Sequence, residues 1–415
     1  MNAYLKKHAF CDQLIDTKPS TELGLVVVIP CLREPQLLET LKSLTLCTSP
    51  TFAIEVIIVI NQSEDADQET IEANNKSLKD ARLFAEQNNT KQRSFYPLSI
   101  ELPTKHAGVG LARKIGMDEA VRRFDSINME GIIVNLDADC TVSENYFTEI
   151  ETHFEKGNKA ASFYFEHPLD GLSEDVTNAI ISYELFLRYY INMQRLIAYP
   201  WAYQTIGSAM AVTSDLYQQQ GGMNRRKAGE DFYFMQKFIE LGRCDELNQL
   251  TVFASSRKSD RVPFGTGKAI TDICEGHEIQ SFYHPESFHH LSELFSFLPT
   301  LYVANESQIN MLFSTLDKSL SSFLEANNWA EKLLEIKAKT VDYASFRKRF
   351  FRSFNAFQLM KFMHWSRDQY YPDLNSEEAM TYLFDRLNLG YSDDQKSNLL
   401  ALRSFDRSND FSISL

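Results

Sequence analysis

The first half of the chain alternates between short apolar runs and longer segments whose apolar positions recur at helical spacing. The runs are LGLVVVIP (apolar core over 24–30), AIEVIIVIN (53–61), YPLSIELP (96–103) and GIIVNLDAD (131–139). Valine and isoleucine dominate them, as in strands buried on both faces. Between them lie EPQLLETLKSLTLC, with leucines at 37, 38, 41 and 44, the polar DQETIEANNKSLKDARLFAEQNN, and VGLARKIGMDEAVRRF (109–124), entered through Gly108 and Gly110. Strands alternating with helices predict an α/β fold, a largely parallel sheet covered on both faces. Ligands of such sheets gather at the carboxyl ends of the strands.

From residue 160 the pattern changes. AASFYFEHP predicts another strand, NAIISYELFLRYYINMQRLIAYPWAY (178–203) a long aromatic helix, and TIGSAMAVTSDLY (205–217) a return to strand-forming residues. A glycine turn and basic loop then lead into an amphipathic helix starting near Glu230. After about 285 the chain reads as helical, aromatic and charged, with no internal repeat and no low-complexity linker. The aromatic helix is expected to pack on the sheet. Its Arg188 and Arg195 leave a peripheral membrane contact as the alternative.

Three strand ends carry polar groups in succession: Pro30-Cys31-Leu32-Arg33-Glu34, Asn61-Gln62-Ser63-Glu64-Asp65 and Asp137-Ala138-Asp139. A formal net charge of −14 over 415 residues excludes nucleic-acid binding through overall charge. The start lacks a long apolar stretch, so no signal peptide is expected, and no run is long enough to span a membrane. Six cysteines without a C-x-x-C suit a reducing, cytoplasmic setting.

Asp137 and Asp139 stand at i and i+2, which places them on one face of a strand. A hard divalent cation binds through one or two such carboxylates plus substrate phosphates; a solvated turn is the plain alternative. Gly229-Glu230-Asp231 opens a helix. Acidic residues there are stabilised by the helix dipole, or one of them is a general base. In Lys105 to Arg113 two glycines precede a helix whose first amides favour anions. Arg113 either lines a nucleotide cleft or sits on the surface.

Taken in order, LVVVIPCLREPQLLETLKSL, VIVINQSEDAD, GVGLARKIGMDEA, IIVNLDADCTVSENYF and IGSAMAVTSDLYQQQGGMNRRKAGEDFYFMQKFIELG resemble a family 2 glycosyltransferase of the GT-A fold over roughly residues 22 to 265. The resemblance implies a metal-dependent hexosyltransferase with a nucleotide-sugar donor (a UDP- or GDP-sugar), Mg²⁺ or Mn²⁺ at the D-x-D, and inversion at the anomeric carbon. It implies that Pro30, Cys31, Glu34 and Asn61 border the base and ribose, with Gly110 and Arg113 in the donor cleft. Asp137 would approach the ribose or sugar and share the metal with Asp139. Asp231 would be the general base and Glu230 would orient hydroxyls. Trp201, Tyr203 and Gly207 would border the acceptor, a carbohydrate or lipid-linked hydroxyl, although such aromatics are more often core.

The sequence departs from the family pattern at three points. Asn61 stands alone where an aspartate pair is usual, Arg33 stands where asparagine is usual, and the Q-x-x-R-W of processive members is absent. Single transfer is therefore expected. In that region runs a basic glycine loop, Ser255 to Lys268, whose Arg257, Lys258 and Arg261 are read as a lid over the diphosphate or as a plain surface loop. His277, His284, His289 and His290 are candidates for a third metal ligand. The expected organisation is an arm over 1–21, a catalytic domain over 22–285 and a helical domain over 286–415, the last open to a dimer role. The rivals are a catalytically silent GT-A module that binds sugar or nucleotide, and a sugar-phosphate nucleotidyltransferase, whose glycine-rich loop PCLREP does not supply.

Overall fold

The computed structural model describes residues 2–259, 265–277 and 281–408. The chain forms two compact units, and both are discontinuous: one comprises 1–172 and 203–268, the other 173–202 and 269–415. The single cut expected at 285 is thus replaced by a crossing at 172 and 203 and another near 268.

The first unit holds an eight-stranded sheet. Its strands are β1 (Leu23–Cys31), β2 (Ala53–Ser63), β3 (Arg93–Leu102), β4 (Ile132–Asn135), β5 (Thr141–Val142), β6 (Ala160–Glu166), β7 (Met210–Thr213) and β8 (Asp245–Phe253), in the order β3-β2-β1-β4-β7-β6-β8-β5. The helices are α1 (Ala3–His8), α2 (Leu37–Leu46), α3 (Gln68–Asn88), α4 (Val109–Ser126) and α5 (Tyr146–Glu155), with α7 (Ser214–Gln219) and α8 (Glu230–Ile239) after the excursion of α6 (Glu174–Leu196) into the second unit; α9 (Thr266–Cys274) straddles the later crossing. This is the expected α/β class with a helical C-terminal region.

The sheet is more mixed than the hydrophobic pattern predicts. β1 pairs in parallel with β2 and β4, β2 with β3, and β6 with β8, whereas β7 runs antiparallel to both β4 and β6, and β5 to β8. The parallel core β2-β1-β4 is buried almost throughout, which is why its strands read as largely apolar runs, interrupted inside β2 by Glu55, which pairs with Arg123. Its carboxyl ends lie together, and the polar residues after β1, β2 and β4 are brought to one edge.

The N-terminal segment is fastened to α4 at Tyr4, Leu14, Ile15 and Thr17. The Tyr4 hydroxyl donates to Asp118 Oδ1 at 2.7 Å, as does Tyr217 at 2.8 Å, and Lys114 Nζ lies 3.0 Å from Asp118 Oδ2. The amides of Leu14 and Ile15 donate to Glu119, and Arg123 donates to the Thr17 carbonyl. Helix α4 thereby carries five buried ionic residues, Arg113, Lys114, Asp118, Glu119 and Arg123, a burial tolerated because each has a partner of opposite charge or a hydrogen bond.

The second unit is helical. The expectation that the 178–203 helix packs on the sheet is corrected: α6 belongs to this unit and packs against its helices. Buried Glu184 on α6 accepts from Arg188 (2.9 and 2.7 Å) and from Arg403 (2.8 and 2.7 Å), and Arg188 also pairs with Asp406. Arg188 is thus a buried structural cation, and Arg195 lies 3.4 Å from the same Asp406, so both charges of the membrane-contact alternative are engaged within this unit. No helix among the described residues is long and apolar enough to cross a membrane.

Candidate active site

Strand β4 ends at Asn135, so Asp137 and Asp139 fall in the turn that follows, where the Cys140 amide donates to the Asp137 carbonyl at 3.1 Å. The strand expected over 131–139 ends four residues early, and the two carboxylates lie beyond it rather than on one strand face. Each meets a different arginine: Asp137 pairs with Arg113, and Asp139 lies 3.1 Å from Arg257 Nη2.

Arg113 comes from the first turns of α4 and is buried. One terminal nitrogen pairs with Asp137 and the other with Glu230, so it ties the turn after β4 to the start of α8. Burial alone would lower the pKa of the guanidinium; the two carboxylates, with Asp231 nearby, outweigh it and raise the pKa. Two glycines clear the space. A Cβ on Gly207 would stand 2.5 Å from Arg113 Nη1 and 2.7 Å from its Cζ. A Cβ on Gly110 would strike the Arg226 carbonyl oxygen and lie 3.1 Å from Glu230 Cβ. Gly110 therefore serves close helix–loop packing rather than an open anion site, and Arg113 is neither a surface residue nor a free lining group.

Glu230 and Asp231 open α8 behind Gly229, which holds φ at +68° as N-cap. Asn224 Nδ2 donates to the Glu230 carbonyl, and the Phe232 amide donates to Asp231 Oδ1 at 2.7 Å. Glu230 is buried and Asp231 half-buried. Burial raises the pKa of both above the usual carboxylate range, with Arg113 acting in the opposite direction. A raised carboxylate pKa near its substrate is the property of a general base.

At the end of β1, Arg33 adopts φ +47°, uncommon for a residue with a side chain, and its amide donates to Asn74 Oδ1 at 2.9 Å. Past this turn Glu34 is buried; its carboxylate accepts the Gln36 amide at 2.8 Å and pairs with Arg257. Asn61 is also buried at the end of β2, and its carbonyl accepts from Asn74 at 3.0 Å. Arg113 thus joins Asp137 to Glu230, with Asp231 nearby, Arg257 joins Glu34 to Asp139, and the Asp137-Ala138-Asp139 segment carries one member of each set.

The remaining expected residues are distributed as follows. Pro30 and Cys31 close β1, beside Val59 and Ile60 of β2. Lys258 is exposed, and Arg261 lies outside the described residues. Trp201 is placed in the second unit, where its indole N–H donates to the Phe351 carbonyl at 3.1 Å, a packing role in place of the expected acceptor stacking. Tyr203 marks the return to the first unit. Among the four histidines, His284 caps its helix, accepting the Glu286 amide; His277 lies 3.3 Å from Glu275, and His290 lies 3.2 Å from the Tyr371 hydroxyl and 3.6 Å from Asp317, all in the second unit. Sequence alone missed the bridging role of Arg113, the clearance at Gly207 and the left-handed Arg33. The family's preference for asparagine at that last position was a usable signal, because asparagine tolerates positive φ.

The donor chemistry suits a divalent cation. Four carboxylates contact two guanidiniums, and Asp137 and Asp139 keep 36% and 19% of their side chains exposed. No cluster of three or more side chains able to hold a metal occurs among the described residues.

No family model matches the chain, and no curated protein matches it. Among solved structures, it is similar to residues 1–349 of Staphylococcus aureus TarS, at 12% identity and TM-score 0.40, over 80% of this chain and 92% of that one. The TarS 1–349 complex with UDP-GlcNAc gives 13% identity and TM-score 0.41 over the same shares. TarS in another crystal structure gives 12% and 0.38, over 78% of this chain and 54% of that one. Identity and TM-score are too low to carry ligand or activity across to this chain.

Proposed function

We propose that this chain is a glycosyltransferase that moves a sugar from a nucleotide-diphosphate donor to an acceptor hydroxyl, with inversion and one transfer per encounter. The observation that supports it most is the linked acidic group at the carboxyl ends of β1 and β4. There Arg113 ties the D-x-D turn to the Glu230-Asp231 helix start, joining two motifs far apart in sequence.

In this reading Asp231 takes the proton of the acceptor hydroxyl. The oxygen then attacks the anomeric carbon as the bond from that carbon to the diphosphate oxygen breaks. Its raised pKa gives it the basicity the step needs at neutral pH. Glu230, fixed by Arg113 and buried, positions the base and the start of α8. Mg²⁺ or Mn²⁺, held by Asp139 and Asp137, would offset the charge of the departing diphosphate. Asn61, Glu34 and Cys31 border the place for the base and ribose. The absence of a Q-x-x-R-W motif supports single transfer.

The test is nucleotide release from a panel of UDP- and GDP-sugars with simple sugar and lipid-linked acceptors, for the wild type and Asp231→Asn. The expected result is acceptor-dependent release by the wild type and at least a 10³-fold loss in the variant, at the general-acid/base scale, with nucleotide binding retained. Turnover retained by Asp231→Asn removes it from the base role. Nucleotide binding without release from any sugar would favour the silent module.

A further inference from the structure

Arg257 sits where a cation is needed. Its Nη2 donates both to Glu34, after β1, and to Asp139, in the turn after β4. The segment carrying it is docked: Ser256 Oγ donates to the Pro168 carbonyl at 2.7 Å and Ser255 Oγ to Gln36 Oε1 at 3.4 Å. Nε of the same guanidinium is buried and has no acceptor among the described residues. The two arginines of the site differ in kind. Arg113 is sunk between two carboxylates with 4% of its side chain exposed, whereas Arg257 keeps 26%. Arg257 therefore reaches solvent while it contacts Asp139, the carboxylate assigned above to the divalent cation.

We propose that Arg257 is an exchangeable counter-ion: it is parked on Asp139 and Glu34 in the ligand-free protein and turns to the donor's diphosphate when that anion arrives. This rests on the reading of the site as one for a nucleotide diphosphate. Three features support it. Arg257 already holds the Asp139 carboxylate that the proposed function gives to the divalent cation. A diphosphate offers the forked, doubly charged acceptor that a guanidinium prefers to a single carboxylate oxygen. Glu34, also held by the Gln36 amide, keeps the side chain within reach of both partners. The consequence is that anion and metal assist each other. The anion takes Arg257, Asp139 is released to the metal, and the metal alone meets an occupied carboxylate. The site is thereby kept from holding a divalent cation before a donor is present.

The test measures two ligands separately in Arg257→Gln: Mn²⁺ alone in anion-free buffer, by electron paramagnetic resonance of the free ion, and inorganic pyrophosphate alone in metal-free buffer, by calorimetry. Removing the guanidinium should tighten Mn²⁺ about tenfold and weaken pyrophosphate about tenfold, on the scale of one charge-assisted contact. Opposite signs are the signature, because a merely structural role moves both affinities the same way. Unchanged or weaker Mn²⁺ binding, or unchanged pyrophosphate binding, overturns the proposal. Circular dichroism checks the fold; if Arg257→Gln is unfolded, Arg257→Lys carries the same test, since its shorter, unforked cation loses part of both contacts. Neither ligand contains a sugar or a base, so these outcomes stand apart from whether any sugar is transferred.

Discussion

Gly207→Ala tests the Arg113 bridge from its far side. The new methyl would stand 2.5 Å from Nη1 and 2.7 Å from Cζ of a guanidinium that cannot yield, since Asp137 holds one side and Glu230 the other. Gly207 is not among the glycines with φ in the left-handed region, so the cost is steric rather than conformational. Overpacking of this kind costs about 1–3 kcal/mol. If the guanidinium is pushed off Glu230, a buried carboxylate loses its partner, which raises the figure toward ~3–5 kcal/mol. The assay is a double-mutant cycle by urea unfolding, with Arg113→Ala as the second change. Arg113→Ala alone should cost about 3–5 kcal/mol. Gly207→Ala should be nearly neutral in the Arg113→Ala background, because the atoms it strikes are gone, giving a coupling of at least ~1 kcal/mol. Additive effects, or a wild-type midpoint for Gly207→Ala alone, would refute the packing argument.

Other outcomes follow from the same geometry. Burial raises the Asp231 pKa, and a base works only when ionised, so the rate of transfer should fall as pH drops through a value above the usual carboxylate range; a pH–rate profile whose acid limb sits at the ordinary aspartate value would contradict this. Glu184→Gln leaves Arg188 and Arg403 short of a buried carboxylate and should destabilise the helical unit by about 3–5 kcal/mol, read as a lower unfolding midpoint. Tyr4→Phe removes a 2.7 Å hydrogen bond to buried Asp118 and should cost ~1.5–3 kcal/mol, while a loss below about 0.5 kcal/mol would show that the N-terminal segment is not fastened there.

Much of the parallel core could be read from the chain because its physics is local. Strands buried on both faces must be largely apolar: LGLVVVIP is so throughout, and AIEVIIVIN is broken inside only by Glu55, whose charge Arg123 meets. The glycine turn before the Glu230 helix was equally readable, and Gly221 and Gly222 do hold φ at +74° and +71°. The direction of β7 was not readable, since a short apolar run looks the same parallel or antiparallel. Nor was the partner of α6, because an aromatic face records that it is buried and not by what. The Arg113 bridge was hidden for a different reason: Asp137 and Glu230 lie 24 and 117 residues away, and only the fold joins them. The sequence pointed to the acidic residues of the site; the cations that hold them became visible only in three dimensions.

The function proposed for this acidic edge requires it to receive a nucleotide diphosphate together with a divalent cation. The direct measurement is equilibrium binding of UDP, GDP and CDP to the full chain, each with and without Mn²⁺, repeated on Asp139→Asn. The account predicts that one nucleotide binds at least tenfold more tightly with Mn²⁺ and that Asp139→Asn abolishes that gain; no binding of any nucleotide, or a Mn²⁺ effect unchanged in Asp139→Asn, would contradict it.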